Sequence, residues 1–292
     1  DQGALWVHLN YQSKKSVNWL KKEASLHKVV ANALVAQETR PRSASFSDGL
    51  LIFLRGVNLN PGQDPEDMVS IRLWIESSRI ISTRLHRLLS VEDLCKRLDE
   101  GIGPKTTSEL FVMLNDRLID RMSDVLEGID DDVDRLEEEV LNAQSHLLRP
   151  QVADLRFQAI LIRRYLSPQR EALSRLQNSD TPILTESDKI QLREASDRTT
   201  RYIEDLDSAR DRLAIIQEEL SSRLSEQLDK RMYLLSIVAV IFLPLTFITG
   251  LLGINVGGIP GSHFKWAFTI VCAGLIGLFG LTLWVCRIKK WI

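Results

Sequence analysis

Apolar positions along this chain follow two rhythms, and the change from one to the other divides it. Up to residue 104 short apolar runs alternate with helical spacing. Leu5–Asn10 (LWVHLN), 50–58 (LLIFLRGVN), 68–76 (MVSIRLWIE) and Arg79–Arg84 (RIISTR) read as strands, with Ser77-Ser78 as the tight turn joining the last two. Residues 13–22, 26–37 and 91–100 read as helices, the last ended by Gly101 and Gly103. Residues 60–65, with two prolines and a glycine, read as a loop. The expectation is an α+β part in which a mixed sheet is covered by helices.

From Thr106 the pattern is helical throughout. There is no glycine between Gly128 and Gly250, and prolines at 150, 168 and 182 are expected to divide the region into segments. Residues 183–243 hold neither glycine nor proline, a run of 61 residues that would make one helix about 90 Å long. Thr185-Glu186-Ser187-Asp188 fits a capping box at its start. Leu206, Ala209, Leu213, Ile216 and Leu220, continued by Leu224 and Leu228, form a 3-4 spaced seam. Such a seam has to pack on the earlier helices, on copies of itself, or on both.

The same run passes from polar to apolar without a break. Residues 234–252 (LLSIVAVIFLPLTFITGLL) and 267–286 (AFTIVCAGLIGLFGLTLWVC) are 19 and 20 residues without a charge. About 20 apolar residues span a bilayer core, whereas a buried hairpin in a soluble protein seldom runs so far uncharged. Lys230 and Arg231 precede the first span, and Arg287, Lys289 and Lys290 follow the second, with Trp284 and Trp291 at that boundary. The joining loop carries only Lys265, so the basic ends are expected in the cytosol. Pro244 in mid-span suits a helix packed in protein or lining a cavity.

Composition sharpens this picture. A mean hydropathy of −0.07 averages a charged body with a nearly uncharged end. A net charge of −2 argues against nucleic-acid binding driven by overall charge, and three cysteines in 292 residues exclude a disulfide scaffold. There is no signal-peptide pattern near residue 1, and a start at Asp1 without methionine suggests a truncated or processed N-terminus. No Gly-x-Ser-x-Gly, Walker A or post-strand Gly-x-Gly-x-x-Gly motif appears, so nothing supports an enzyme, and no cofactor is expected. The run 129–140 (IDDDVDRLEEEV) has seven acids in twelve residues. It reads as a cation-sensing cluster or, more plainly, as a solvated face paired with arginines. Of His8, His27, His86, His146 and His263, none makes an i, i+4 pair. His263 alone lies in the loop between the spans, where it is either a zinc contact or an ordinary polar residue.

The segment 244–255 (PLTFITGLLGIN), followed by a second span and the tail Lys289-Lys290-Trp291-Ile292, resembles the CorA family of divalent-cation transporters, whose pore helix ends in Gly-Met-Asn. Here isoleucine replaces the methionine. That change, with Val256-Gly257-Gly258 after it and the stretches WVHLNY (6–11), ETRPR (38–42) and YLSPQR (165–170), resembles the zinc-transporting ZntB branch. The resemblance implies a homopentameric funnel in the bacterial inner membrane, both termini cytoplasmic, with the long helix lining an axial pore. It implies zinc as cargo, with nickel, cobalt and cadmium as further candidates. Its partners would be further copies of itself, the ions and membrane lipids, with no nucleic acid.

Carried over residue by residue, the resemblance assigns Asp229, Met232, Leu235, Leu243 and Thr246 to the pore, and Gly253, Ile254 and Asn255 to selectivity and ion binding at the outer mouth. Apolar rings there would gate by dewetting. The plain alternatives are that these residues face lipid or the second span, and that Asn255 only caps the helix. The expected organisation is 1–104 α/β, 105–182 helical, 183–233 stalk, 234–252 first span, 253–266 external loop, 267–286 second span and 287–292 basic tail. A magnesium or cobalt channel of the same family is the nearest rival reading. A membrane-anchored structural or sensing scaffold is the rival of another class.

Overall fold

A computed structural model describes residues 3–37, 40–142, 145–253, 261, 264–289 and 291, with only the backbone for 141, 142, 145 and 146. The chain divides into two units, residues 1–219 and 220–292.

The first unit is built on one five-stranded sheet: β1 (Leu5–Asn10), β2 (Arg42–Ser45), β3 (Leu50–Gly56), β4 (Val69–Ile75) and β5 (Arg79–Arg84), in the order β1-β5-β4-β3-β2. Only β1 and β5 run parallel, with Leu5 opposite Arg79 and Asn10 opposite Arg84; the other pairs are antiparallel. The sheet is therefore mixed, as expected. Three central strands are buried on both faces, which is why they read as nearly continuous apolar runs rather than clean alternation. The strand the sequence pattern passed over is β2, whose Arg-Ser-Ala-Ser carries no large apolar residue. It is an edge strand held by pairing with β3 and by the Ser43 hydroxyl, which donates to the Ala172 carbonyl at 3.0 Å. Gly49 starts the return strand because a Cβ there would lie 2.4 Å from the Trp74 ring.

Helices cover both faces. On one, α1 (Lys14–Lys22), α2 (Lys28–Leu34) and the connection between them set Leu20, Ala24, Val30 and Leu34 against Leu51, Phe53, Trp74 and Ile81. On the other, α3 (Leu89–Asp99), α4 (Thr107–Asn142) and α5 (Ser145–Gln177) join the first turns of α6 (Glu186–Leu252) over Ile52, Leu54, Ile71 and Leu73. α2 is shorter than the expected 26–37, and its C-terminal region is tied to the sheet through backbone carbonyls. Thr83 donates to the Leu34 carbonyl and the fully buried Arg72 to that of Ala36, both at 2.6 Å. Arg72 also stacks on the Tyr11 ring at 4.3 Å, and burial pulls its pKa below the ordinary arginine value.

Two expectations about proline need correcting. Pro150 and Pro168 do not divide the helical region, because α5 runs through both. Each removes one backbone hydrogen bond, but Val152, Leu155, Ala159, Ile162, Leu166 and Leu173 are buried along the same helix, and that packing outweighs the loss. Only Pro182 falls in a break. The capping box forms as read: the Asp188 amide donates to Thr185 Oγ1 at 3.2 Å, and the Thr185 amide to Asp188 Oδ2 at 2.8 Å. α6 then continues through Pro244 to Leu252, 67 residues in all, and α7 (Ala267–Ile288) follows the loop.

A polar ladder lies at the β1–β5 edge. Arg84 Nε donates to His8 Nε2 at 2.8 Å, so His8 is neutral and its Nδ1 donates to Ser82 Oγ at 2.7 Å, which also accepts from Trp6 Nε1. Burial first, and then the Arg84 charge, lowers the His8 pKa from 6.5 to about 4. Between those values the unfolded chain holds more protons than the folded one, so stability falls as pH drops through this window and is unaffected above it. The expected loss is at most about 3 kcal/mol. Thermal melts of the wild type and His8→Gln from pH 7 to pH 4 check this. The amide keeps both hydrogen bonds, so the variant's profile is expected to be flatter than the wild type's.

Candidate functional site

The second unit holds the apolar half of α6 and all of α7. Only 11% of the apolar window of α6, and none of that of α7, is buried within the chain. A soluble core hairpin would bury both, so these helices are candidate membrane spans. Tyr233, at the start of the first span, donates its hydroxyl to the Trp291 carbonyl at 2.8 Å, which closes the hairpin at its basic end. The sequence pattern gave no sign of this bond.

One residue per 100° of turn sorts the first span into faces. Ile237 and Ile241 are buried, at 9% and 7% exposure, and stand on the face turned inward within the hairpin. On the opposite face Met232, Leu235, Ala239, Leu243, Thr246 and Gly250 fall in one stripe, all exposed. Met232, Leu235 and Leu243 are 61%, 63% and 72% accessible. Asp229 is exposed at the base of this stripe, about 60° off Met232 around the helix. An open groove on the stripe is lined by Ala239, Phe242, Leu243, Pro244, Thr246 and Phe247. The residues expected at a pore thus share one bare face, and the described residues of their own chain do not cover it.

Hydroxyl groups in the span are used in two ways. Ser236 donates to the Met232 carbonyl at 2.9 Å, and Thr249 to the carbonyls of Leu245 and Thr246, both at 3.0 Å. Those hydroxyls are satisfied by carbonyls of their own helix. Thr246 is the hydroxyl-bearing residue of the bare stripe. Pro244 has no amide to donate to Val240, so a carbonyl is released inside the span.

Gly253 closes the helix, its amide donating to the Thr249 carbonyl at 2.9 Å. Its backbone stays outside the left-handed region, and a Cβ there would lie 3.1 Å from the Thr249 carbonyl oxygen, a tight contact that glycine avoids. Ile254, Asn255 and His263 lie outside the described residues.

The acidic run resolves into ion pairs. Arg212 of α6 reaches Asp130, Asp134 and Glu137 of α4, and Arg135 reaches Asp132 and Glu139. Among the described residues no three His, Cys, Asp or Glu side chains converge as a metal-binding group. The paired-face reading therefore holds for the described residues. Asp205 lies beside Asp130 in a cavity between α4 and α6, and burial with the charges of Asp130 and Glu204 raises its pKa. His27 caps α2, accepting from the Val29 amide, and Cys95 is held as a thiol by burial and the nearby Asp99 and Glu92.

Residues 1–288 match the family model described as "CorA-like Mg2+ transporter protein". "Divalent cation transporter CmaX" of Pseudomonas aeruginosa is 40% identical over 295 residues, covering 99% of this chain and 88% of the relative. "Zinc transport protein ZntB" of Yersinia enterocolitica is 36% identical over 287 residues, covering 98% and 88%. A solved structure of full-length CmaX matches with a TM-score of 0.84 at 40% identity, over 99% of this chain and 89% of that one.

Arg212 is the single cation serving three carboxylates, and those carboxylates are largely exposed. Arg212→Gln is expected to destabilise the first unit by roughly 1 kcal/mol at low ionic strength, and by less in high salt, where exposed charges are screened. Melting temperatures of the detergent-solubilised chain at two salt concentrations measure it.

Proposed function

The chain belongs to the CorA-like Mg2+ transporter family and is a divalent-cation transporter of it, and we propose that it carries zinc among its cargo through the axis of a homopentamer. One observation carries this reading: the bare stripe of α6 opposite Ile237 and Ile241. Two spans cannot enclose a water path, but a ring of copies can, with each stripe turned to the axis.

In that ring Asp229 gathers cations at the inner end. Met232, Leu235 and Leu243 form apolar collars that close by dewetting, and Thr246 offers a hydroxyl ring to a hydrated ion. At the outer mouth Asn255, with the Gly253 carbonyl and Ile254 between them, presents neutral oxygens. These hold an ion weakly enough to release it. The basic residues 230, 231, 287 and 289 set both termini in the cytosol of a bacterial inner membrane. A divalent ion entering at −100 mV then gains about 4.6 kcal/mol, and no nucleotide is needed to drive uptake. His263 stands in the external loop as an accessory zinc contact.

Zinc is favoured by the ZntB relatives and by Ile254 in place of methionine, and the CmaX name and the family description favour a broader divalent range. In proteoliposomes, zinc, nickel, cobalt and cadmium are all expected to enter. Magnesium flux clearly above zinc flux would place the chain with the magnesium channels instead. Asn255→Ala is expected to lower zinc flux tenfold or more, about 1.4 kcal/mol or more in barrier. A scaffold without a conduction role would give no flux to lose. Leu243→Ser wets one collar and is expected to raise basal flux.

A further inference from the structure

We propose that the basic end of the membrane hairpin is a binding cleft for the phosphate of an anionic membrane lipid. This rests on the two helices spanning a membrane and not on what they conduct. The Tyr233–Trp291 bond at 2.8 Å brings the first turn of one span to the residue beyond the other. The residues after α7 are held to its last turn: the Lys289 amide donates to the Val285 carbonyl at 3.0 Å and the Trp291 amide to that of Cys286 at 2.8 Å. Cys286 is 1% exposed and marks the inward face of α7.

Helical geometry then places the cations. Lys230 precedes the buried Ile237 by two turns and so stands within about 20° of the α6 face turned inward. Lys289 and Arg287 lie about 60° to one side of Cys286 and about 100° to the other. Two exposed cations, Lys230 and Lys289, therefore flank the seam between the two helices at one end. Arg287 and Arg231, each about 100° from the inward face of its own helix, lie off that seam. Lys230 already holds a carboxylate, Glu226, at 2.7 Å, in a pair whose side chains are 74% and 64% exposed. Such an exposed pair is worth little and exchanges readily for a phosphate.

The surroundings choose the source of that phosphate. Leu234, Val285 and Ile288 are 62%, 42% and 59% exposed beside the cations, and the Trp284 and Trp291 rings are 61% and 44% exposed at the same level. Bare apolar side chains and indoles next to a basic cleft suit a headgroup that carries acyl chains. A soluble phosphate would leave them uncovered.

The test uses the purified full chain, freed of native lipid and titrated in detergent with phosphatidylglycerol or phosphatidylcholine, with bound lipid counted by native mass spectrometry. Phosphatidylglycerol is expected to be retained in preference to phosphatidylcholine. Each seam cation is worth about fivefold, so the Lys230→Gln/Lys289→Gln variant is expected to lose on the order of 25-fold in affinity. Arg231→Gln is expected to bind as the wild type does. Equal loss in Arg231→Gln, no preference for the anionic lipid, or glycerol phosphate binding as well as the lipid would each overturn the proposal. Because the readout is binding and not flux, any of these leaves the transport reading untouched.

Discussion

An apolar stripe that the described residues of its own chain leave bare is the constraint on which the rest of this molecule depends. Met232, Leu235 and Leu243 on α6, with Phe268 and Ile276 on α7, are each more than 60% exposed. Side chains of that size cost about 1.5–3 kcal/mol apiece in water compared with burial. A bilayer relieves that cost for the positions facing lipid. It does not suit the stripe as a whole, which includes Thr246 and has Asp229 close to its base. A face that is apolar over most of its length and polar at intervals suits neither lipid nor bulk water. It suits the proposed narrow aqueous axis, shared with other copies.

The same helix is held differently in its polar half. Leu206, Ala209, Leu213 and Ile216 are all nearly inaccessible, while Arg198 meets Asp116 and Asp120, Asp207 meets Arg163, and Arg212 meets the acidic run. The magnitudes rank these contacts. Burying four apolar side chains contributes several kcal/mol, whereas partly exposed ion pairs contribute at most about 1 kcal/mol each. The seam therefore supplies the stability. The ion pairs, Arg198 and Arg212 of α6 against carboxylates of α4 and Asp207 of α6 against Arg163 of α5, fix which turn of α6 lies beside which turn of α4 and α5. Burial along the seam then fades: Leu220 is fully buried, Leu224 is 36% and Leu228 50% exposed. The helix changes its surroundings gradually rather than at a single residue.

How much of this the sequence disclosed follows from which forces act locally. Four strands, the capping box, the seam and both spans were legible because each is written in consecutive residues as period 2, period 3.6 or an uncharged run. β2 was not, since Arg-Ser-Ala-Ser becomes a strand only through its neighbour β3. The prolines of α5 misled because a local cost was offset by burial that only the fold supplies. At the candidate site, the helical period alone puts Met232, Leu235, Leu243 and Thr246 on one face. What it could not give was the opposite face, Ile237 and Ile241, or the Tyr233–Trp291 closure across 58 residues. The reason for Gly253 was likewise invisible, because it depends on a carbonyl one turn back.

Metal choice is the point where local chemistry says least, and the reason is physical. Zinc is held best by thiolate and imidazole, yet none of the stripe residues from Met232 to Gly250 is Cys or His. Cys286 is buried at the inward face of α7, away from the bare stripe. On the proposed path the ion meets the Asp229 carboxylate, apolar collars, a hydroxyl and neutral amide oxygens, none of them the thiolate or imidazole that zinc prefers. Discrimination must then rest on how readily each ion tolerates a narrow passage with its hydration shell largely kept. Magnesium dehydrates reluctantly and demands near-ideal octahedral geometry, while zinc accepts fewer ligands and more varied angles. A collar at Leu243 and an amide ring without a methionine beside it would therefore grade ions by hydration instead of selecting one by ligation. Two relatives named for different cargo, 40% and 36% identical to this one chain, are what such a grading mechanism permits: small changes of pore width shift the range without any ligand being exchanged.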